Sequence, residues 1–391
     1  MNDSTTALNP LAWEAQSLAA HLANLTDPRD PRGVRYPLLP LLILFVLAKL
    51  SNQDTPEAIN DWVAERTAEL KQALGLDWKR MPSHSTWRRL LQWGLEVPEL
   101  EQAAGAFLAT LAASSGDALN LDGKRLRGTL TDAPTPGLPL LALQTAQTNA
   151  VLAQTRVEPK ENEISAAPRV LRAVALAGRV VTGDAIFTQR SLSRQIVRAG
   201  GDYLWLVKDN QPTLRAQLES WFSAGPPASH DTSRTDWETA RTLEKGHGRI
   251  EERVLTSSSQ LNGQVDWPYL GQVFQLQREV SEIHSATTRR ETVYGITSLP
   301  GMEADAARLL SLSRGHWSIE NGLHYRRDVT FHEDATRLKS PRAAQVLAVF
   351  NNLAVGLLRH AGWDNIAKAR RHFAAHRAEA LRLILCAPSR L

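Results

Sequence analysis

Three acidic residues stand at places where a folded chain could gather them. Asp122 follows the run ALNL, Asp184 follows RVVTG, and Glu320 lies within LSRGHWSIENGLHYRRDVTFHED, residues 312–334. Carboxylates brought into one site repel, and their pKa values rise unless a cation sits between them. Mg²⁺ or Mn²⁺ suits such a site, because these ions take hard oxygen ligands and leave positions open for water and phosphate. Two such ions about 3.5–4 Å apart activate an attacking oxygen and stabilise a leaving one during in-line phosphoryl displacement. The expected chemistry is therefore cutting or joining of nucleic acid, with Asp122, Asp184 and Glu320 as metal ligands and catalytic residues. Asp-Gly and Gly-Asp-Ala are ordinary turn dipeptides, and Glu320 alone could pair with His316 or His324, each four residues away. The expectation rests on the joint placement of two strand tips and one helix face.

That placement depends on the elements around the acids. From Ala118 the chain alternates short apolar runs with turn signals: ALNLDGK, LPLLALQTA, AVLAQTRVE, a helical NEISAAPRVLRAVAL, then RVVTGDAIF. The order strand, strand, strand, helix, strand predicts a mixed α/β sheet in which the first and fourth strands are neighbours, so that their tips meet. DYLWLVKDN reads as a fifth strand, nearly continuous in apolar residues and hence central. On the Glu320 helix, Ser313, His316, Glu320 and Arg327 recur at spacings of 3, 4 and 7, while Leu310, Trp317, Leu323 and Tyr325 serve packing. Polar neighbours on that face would orient the carboxylate or touch phosphate. A zinc site of His316, Glu320 and His324 is the competing reading of the same face, although helical zinc motifs set a catalytic Glu between two His and add a distant third ligand. Lys124, Arg125 and Arg127 follow Asp122 directly, and Lys208 ends the fifth strand; all four are expected to grip DNA near the scissile phosphate.

Flanking segments have their own textures. Residues 1–115 read as a helical domain. PLLPLLILFVLA, residues 37–48, is too short to span a bilayer and reads as a buried helix. DTPEAINDWVAERTAELKQAL reads as one amphipathic helix capped by Thr55, and Ser83 opens a short basic helix whose Arg88 and Arg89 could meet DNA as a helix-turn-helix does. Residues 116–222 form the first part of the α/β core. A β-rich insertion is expected over 223–300, with a hairpin bend at Gly246 and Gly248. Residues 301–391 carry the Glu320 helix and C-terminal helices, with Arg370, Arg371 and Arg377 on a solvated face.

Bulk composition narrows the partners. The 391 residues carry 45 Lys and Arg against 41 Asp and Glu, a net charge of +4, and the pI is 9.3. A mildly basic chain suits a polyanion. The single cysteine, Cys386, excludes an intrachain disulfide framework and a cysteine-rich zinc module, which fits a cytoplasmic protein, and no membrane segment is expected.

Taken together and in order, LDGKRLRG, VTGDAIFTQ, YLWLVKDNQPTL, KGHGRIEER and RGHWSIENGLHYRRDVTFHED resemble the H-repeat-associated (ISAs-type) DDE transposases of bacterial insertion sequences, over about residues 24–360. The resemblance implies an RNase H-like catalytic core interrupted by a β-rich insertion, with the triad on Asp122, Asp184 and Glu320. It further implies binding to the element's terminal inverted repeats, metal-dependent cleavage and strand transfer, with two Mg²⁺ or Mn²⁺ ions and a homo-oligomer on DNA. The wider superfamily carries a Tyr, Arg, Glu, Lys signature on the Glu helix; here Ser313, His316 and Arg327 stand where the Tyr, Arg and Lys would be. The competing functions are a transposase-derived DNA-binding protein without turnover and a nuclease that cuts without joining.

Overall fold

The computed structural model describes residues 12–113, 116–129, 137–226, 236–246, 248–283, 288–336 and 338–388, without the side chains of residues 317–321. The first third is helical: α1 (Leu18–Ala23), α2 (Leu38–Leu50), α3 (Pro56–Glu65), α4 (Thr67–Leu74), α5 (His84–Trp93) and α6 (Val97–Leu111). Helix α2 is apolar on all sides and correspondingly buried from Leu41 to Leu50. Thr55 caps α3 by accepting from the Ala58 N–H at 3.1 Å. The single helix expected beyond Thr55 is divided, because Arg66 leaves helical geometry at φ −110°, ψ 21°. Next to the break the Thr67 hydroxyl donates to the Ala64 carbonyl at 2.8 Å, a local bond that competes with the helical ladder.

The middle follows the expected order: β1 (Ala118–Leu126), β2 (Leu138–Thr145), β3 (Val151–Arg156), α7 (Glu163–Arg172), β4 (Val180–Gly183), α8 (Arg190–Arg198), β5 (Asp202–Val207) and α9 (Pro212–Ala224). After them come β6 (Glu238–Gly246), β7 (Arg249–Ser258), β8 (Gln272–Glu282) and β9 (Thr288–Thr297). All nine strands form one sheet in the order β3-β2-β1-β4-β5-β9-β8-β7-β6. Strands β1, β2 and β3 are antiparallel, whereas β1, β4 and β5 run parallel, which is the mixed RNase H-like arrangement. Strand β5 is central, as its apolar run predicts. The β-rich segment does not make a sheet of its own: β9 pairs antiparallel with β5, Leu204 opposite Thr297, and the other three strands extend outward from it. Pairing in this way covers the open edge that β5 would otherwise present.

Helix α10 (Ala306–Ile319) lies against β1 and β4, then continues as two π-helical turns, Glu320–His324 and Arg326–Thr330. The chain closes with α11 (Pro341–His360), α12 (Ile366–Ala375) and α13 (Arg377–Leu385). Helices α12 and α13 are separated at His376, φ −111° and ψ 62°. Helix α2 packs against both α11 and α13, so the two ends of the chain share one core. No described helix is long and apolar enough to cross a membrane.

One basic residue expected in solvent is instead enclosed. Arg370 is fully buried. Its guanidinium donates to the carbonyls of Lys49 and Thr330 and to Asp54 Oδ1 at 2.8 Å, and stacks 4.2 Å from the Phe331 ring centre. Lys49 and Asp54 lie more than 300 residues away, in α2 and just after it, and Thr330 and Phe331 lie about 40 residues away, all beyond the reach of a periodicity argument.

Candidate active site

Strand alternation turns Asn120, Asp122 and Lys124 to one side of β1, and α10 with its π-helical continuation runs along that side. Each of the three meets it. Asn120 Nδ2 donates to the Gly315 carbonyl at 3.1 Å, His324 Nε2 stands 3.3 Å from Asp122 Oδ2, and Lys124 Nζ donates to Asp328 Oδ1 at 2.5 Å. On the neighbouring strand, Thr182 Oγ1 donates to Asn120 Oδ1 at 2.7 Å and lies 3.3 Å from His316 Nδ1. With its proton committed to Asn120, the Thr182 hydroxyl accepts from His316, which fixes that imidazole as the Nδ1–H tautomer.

The same register joins the two aspartates. Leu121 pairs with Gly183 across the parallel β1–β4 ladder, so Asp122 and Asp184, the next residue on each chain, come side by side where that ladder ends; Asp122 does not end its strand as expected, because β1 runs on to Leu126 in its pairing with β2. Asp184 then caps a single 3₁₀ turn at Ala185–Phe187, accepting from the Ala185 N–H at 2.7 Å. Asn210 Nδ2 and Gln211 Nε2, just past β5, hold that turn through the carbonyls of Ala185 and Thr188. Asp122 is 28% exposed and Asp184 55%, so both carboxylates are open to a ligand from solvent. Lys208, at the tip of β5, places Nζ 3.4 Å from Asp184 Oδ1. Two adjacent carboxylates, each already met by a nitrogen base, form a hard-oxygen donor pair of the kind Mg²⁺ or Mn²⁺ takes.

Residue 320 begins the first π-helical turn, one helical turn beyond His316; the side chain of Glu320 lies outside the described residues. Among the described residues no group of three His, Cys, Asp or Glu side chains could hold a metal ion. The zinc reading of this helix loses its geometry, since His316 turns to Thr182 on β4 while His324 turns to Asp122 on β1.

Several expected DNA contacts face inward. Lys124 is buried and bonded to Asp328, and Arg327 is only 1% exposed, with Nε donating to Glu333 Oε2 at 2.7 Å. Glu333 in turn accepts from Asn351 Nδ2 in α11. In this structure both cations are engaged by carboxylates on the segment that continues the helix of Glu320, rather than turned to solvent as a phosphate contact would be. His316 is also enclosed, and burial pushes its pKa down to about 4, with Asp184 opposing and Lys208 assisting. Burial, then Arg327 and Lys124, push His324 down to about 3. Both imidazoles are neutral at pH 7. Arg125 and Arg127 are exposed beside the tip of β1, with Arg125 Nη1 donating to the Gly137 carbonyl and the Arg127 N–H to Asp334 Oδ1. Arg88 and Arg89 are exposed on α5, in the N-terminal helices. Tyr325, expected to pack, is 57% exposed, because i→i+5 winding after Ile319 shifts the phase of every following residue.

Glu163 was not singled out by sequence. It opens α7 behind the Asn162 cap, and its carboxylate packs on Gly123, where a Cβ would collide with it. Burial raises its pKa, Arg125 opposes that shift, and Asp184 adds to it. The pairing of Asp122 with a following glycine was the available signal: the strand needs a glycine there because a side chain occupies the space.

Comparison with known proteins places these features in a wider set. A family model described as Transposase DDE domain matches residues 121–357, and one described as DDE_Tnp_1-associated matches residues 19–108. An uncharacterized protein in the dhlA 3′ region of Xanthobacter autotrophicus is 34% identical over 56% of this chain and 71% of its own length. Putative protein YbfL of Escherichia coli K12 is 24% identical over 91% of this chain and 93% of its own. H repeat-associated putative transposase YhhI of the same strain is 24% identical over 65% of this chain and 66% of its own.

Proposed function

The chain belongs to the transposase DDE domain family, and from that premise we propose that it binds the terminal inverted repeats of its own insertion sequence, cleaves the DNA there and joins the freed 3′ end to target DNA. The observation that carries the proposal is the register of β1 and β4, which sets Asp122 and Asp184 side by side at the head of the sheet with α10 leading residue 320 along the same strands. Asp122, Asp184 and Glu320 would hold two Mg²⁺ or Mn²⁺ ions, which supply activation of the attacking oxygen and stabilisation of the leaving one.

The chain's own residues account for the rest. Lys208 at Asp184 offsets the repulsion between the carboxylates before a cation enters, while neutral His324 stands within hydrogen-bond reach of Asp122. Neutral His316, donating to Thr182, ties α10 to β4 and so fixes where the Glu320 helix stands over the tips. The Lys124–Asp328 and Arg327–Glu333 pairs hold the π-helical turns in place. Arg125 and Arg127 sit beside the tip of β1, where a phosphodiester backbone approaching the aspartates would pass. Joining needs two DNA ends held together, so the working form on DNA is a dimer or larger assembly.

The test is cleavage of duplexes bearing the element's ends, with Mg²⁺ or Mn²⁺, by the native chain and by Asp122→Ala, Asp184→Ala and Glu320→Ala. Loss of cutting by ~10³-fold or more in each variant, with binding retained, is the expected result. Variants that still cut would refute the assignment, and a native chain that binds without cutting would favour the DNA-binding descendant. A chain that cuts but leaves no joined product would favour the nuclease.

A further inference from the structure

We infer that a groove in the N-terminal helices, separate from the carboxylate site, is a binding site for the phosphate backbone of duplex DNA; the inference rests on the reading of the chain as a DNA-acting protein. Arg29, Arg32, Arg35, Arg80 and Arg89 converge on a cavity of about 620 Å³ at the start of α5, and among the described residues no acidic side chain lines it. Two of the five are already engaged. Arg29 is held by Asp27 and the Tyr36 carbonyl, and Arg32 by Asp30. Arg35, Arg80 and Arg89 are exposed, and none of them has an ion-pair partner among the described residues. Guanidinium groups from three separate stretches of chain, turned into one concave surface without counter-ions, are complementary to a run of phosphates.

The first turn of α5 adds to this. Ser85 and Thr86 line the same groove, and the N-cap Ser83 makes no side-chain capping bond to the helix. Backbone N–H groups at a helix start and nearby arginines favour the same anionic ligand. A single strand would need exposed rings on which bases stack. The ring lining the groove is Tyr36, whose hydroxyl donates to the Met81 carbonyl and whose face is closed by Trp78, 4.8 Å between centres at 68°. The chemistry on offer is therefore backbone recognition of a duplex.

The two adjacent arginines of α5 part company here. Arg89 enters the basic groove, whereas Arg88 lines a different cavity of about 710 Å³ shared with Asp54, Glu57 and Lys339.

The experiment is a fluorescence anisotropy titration of a labelled duplex by the full chain carrying Asp122→Ala, in EDTA and over a range of salt. No cleavage is involved, so failure of the catalytic assignment would leave the readout untouched. Replacing Arg35, Arg80 and Arg89 together by Ala is expected to lower the slope of log affinity against log salt by about 2.7, near 0.9 for each phosphate no longer neutralised. Affinity at low salt should fall with it, while Arg371→Ala, an exposed change on α12, keeps both, and the triple Lys replacement keeps the slope. Arg89→Glu alone, a single exposed change, is expected to weaken binding further than Arg89→Ala. An unchanged slope and affinity in the triple Ala chain would overturn the inference, as would equal weakening with Arg371→Ala. Equal binding of a single strand with the same dependence on the three arginines would overturn the duplex assignment.

Discussion

Lys124 shows how little a residue's type says about its role. It stands two positions after Asp122 and reads as a DNA contact, yet strand alternation carries it inward onto Asp328, 204 residues away. Removing its charge should therefore disturb the position of the Glu320 helix and leave DNA affinity alone. Lys124→Met is expected to lower the cleavage rate by ~10–100-fold, the range seen when groups supporting metal ligands are removed. Duplex affinity should stay within about a factor of two, since the proposed phosphate contacts are elsewhere. Single-turnover kinetics beside a binding titration separate the outcomes, and a drop in affinity at an unchanged rate would restore the DNA-contact reading. Gly-Asp does mark the end of β4 at Asp184, whereas Asp-Gly does not mark the end of β1, which continues through Asp122 and Gly123 to Leu126 because β2 pairs with it from Leu119 to Leu126. The inward turn of Lys124 and Arg327 was not legible in the sequence, because it depends on Asp328 and Glu333 arriving from a helix whose winding changes at residue 320.

Between elements, the junction of α6, β3 and α11 carries a largely enclosed carboxylate that forms no ion pair among the described residues. Glu101 accepts from Gln154 Nε2 at 3.2 Å and from Gln345 Nε2 at 2.8 Å, and burial, opposed by these two bonds, raises its pKa to about 7. A carboxyl whose folded pKa lies above its unfolded value stabilises fully below the unfolded value, near 4.5, and that contribution is lost as pH rises through about 7. The fold should thus weaken between about pH 5 and pH 8 on account of this group. Glu101→Gln keeps an acceptor oxygen for both glutamines and removes the titration. It is expected to raise Tm by several degrees at pH 8, equivalent to ~1–3 kcal/mol, and to change little at pH 5. Thermal melts of both chains at the two pH values decide this, and a pH-independent difference would rule the account out.

Across the molecule, one buried charge cluster ties the two ends of the chain to the helix of Glu320. Lys49 at the end of α2 bonds Asp54 Oδ1 at 2.6 Å, Arg370 of α12 bonds the same oxygen, and Phe331 lies under both cations. Burial lowers the pKa of both Lys49 and Arg370, and Asp54 opposes it. Asp54→Ala leaves two enclosed cations facing each other and is expected to cost ~3–5 kcal/mol, measured by denaturant unfolding. Ending the chain after His360 removes Arg370 and uncovers the flank of α2, so that shortened chain should unfold at lower denaturant than the full one. Equal midpoints would show that the shared core contributes nothing.

Local periodicity was enough to establish the order of strands and helices, the apolar α2, the central β5 and the adjacency of the strands that carry Asp122 and Asp184. Hydrophobic spacing and turn residues act over a few positions, and parallel crossover rules then leave few ways to join them. The extension of the core sheet through β9, the π-helical phase change and the inward fate of Lys124, Arg327 and Arg370 needed the folded chain. Whether a cation can be buried depends on a counter-ion reaching it, and here each counter-ion comes from a different element: Asp328, Glu333 and Asp54.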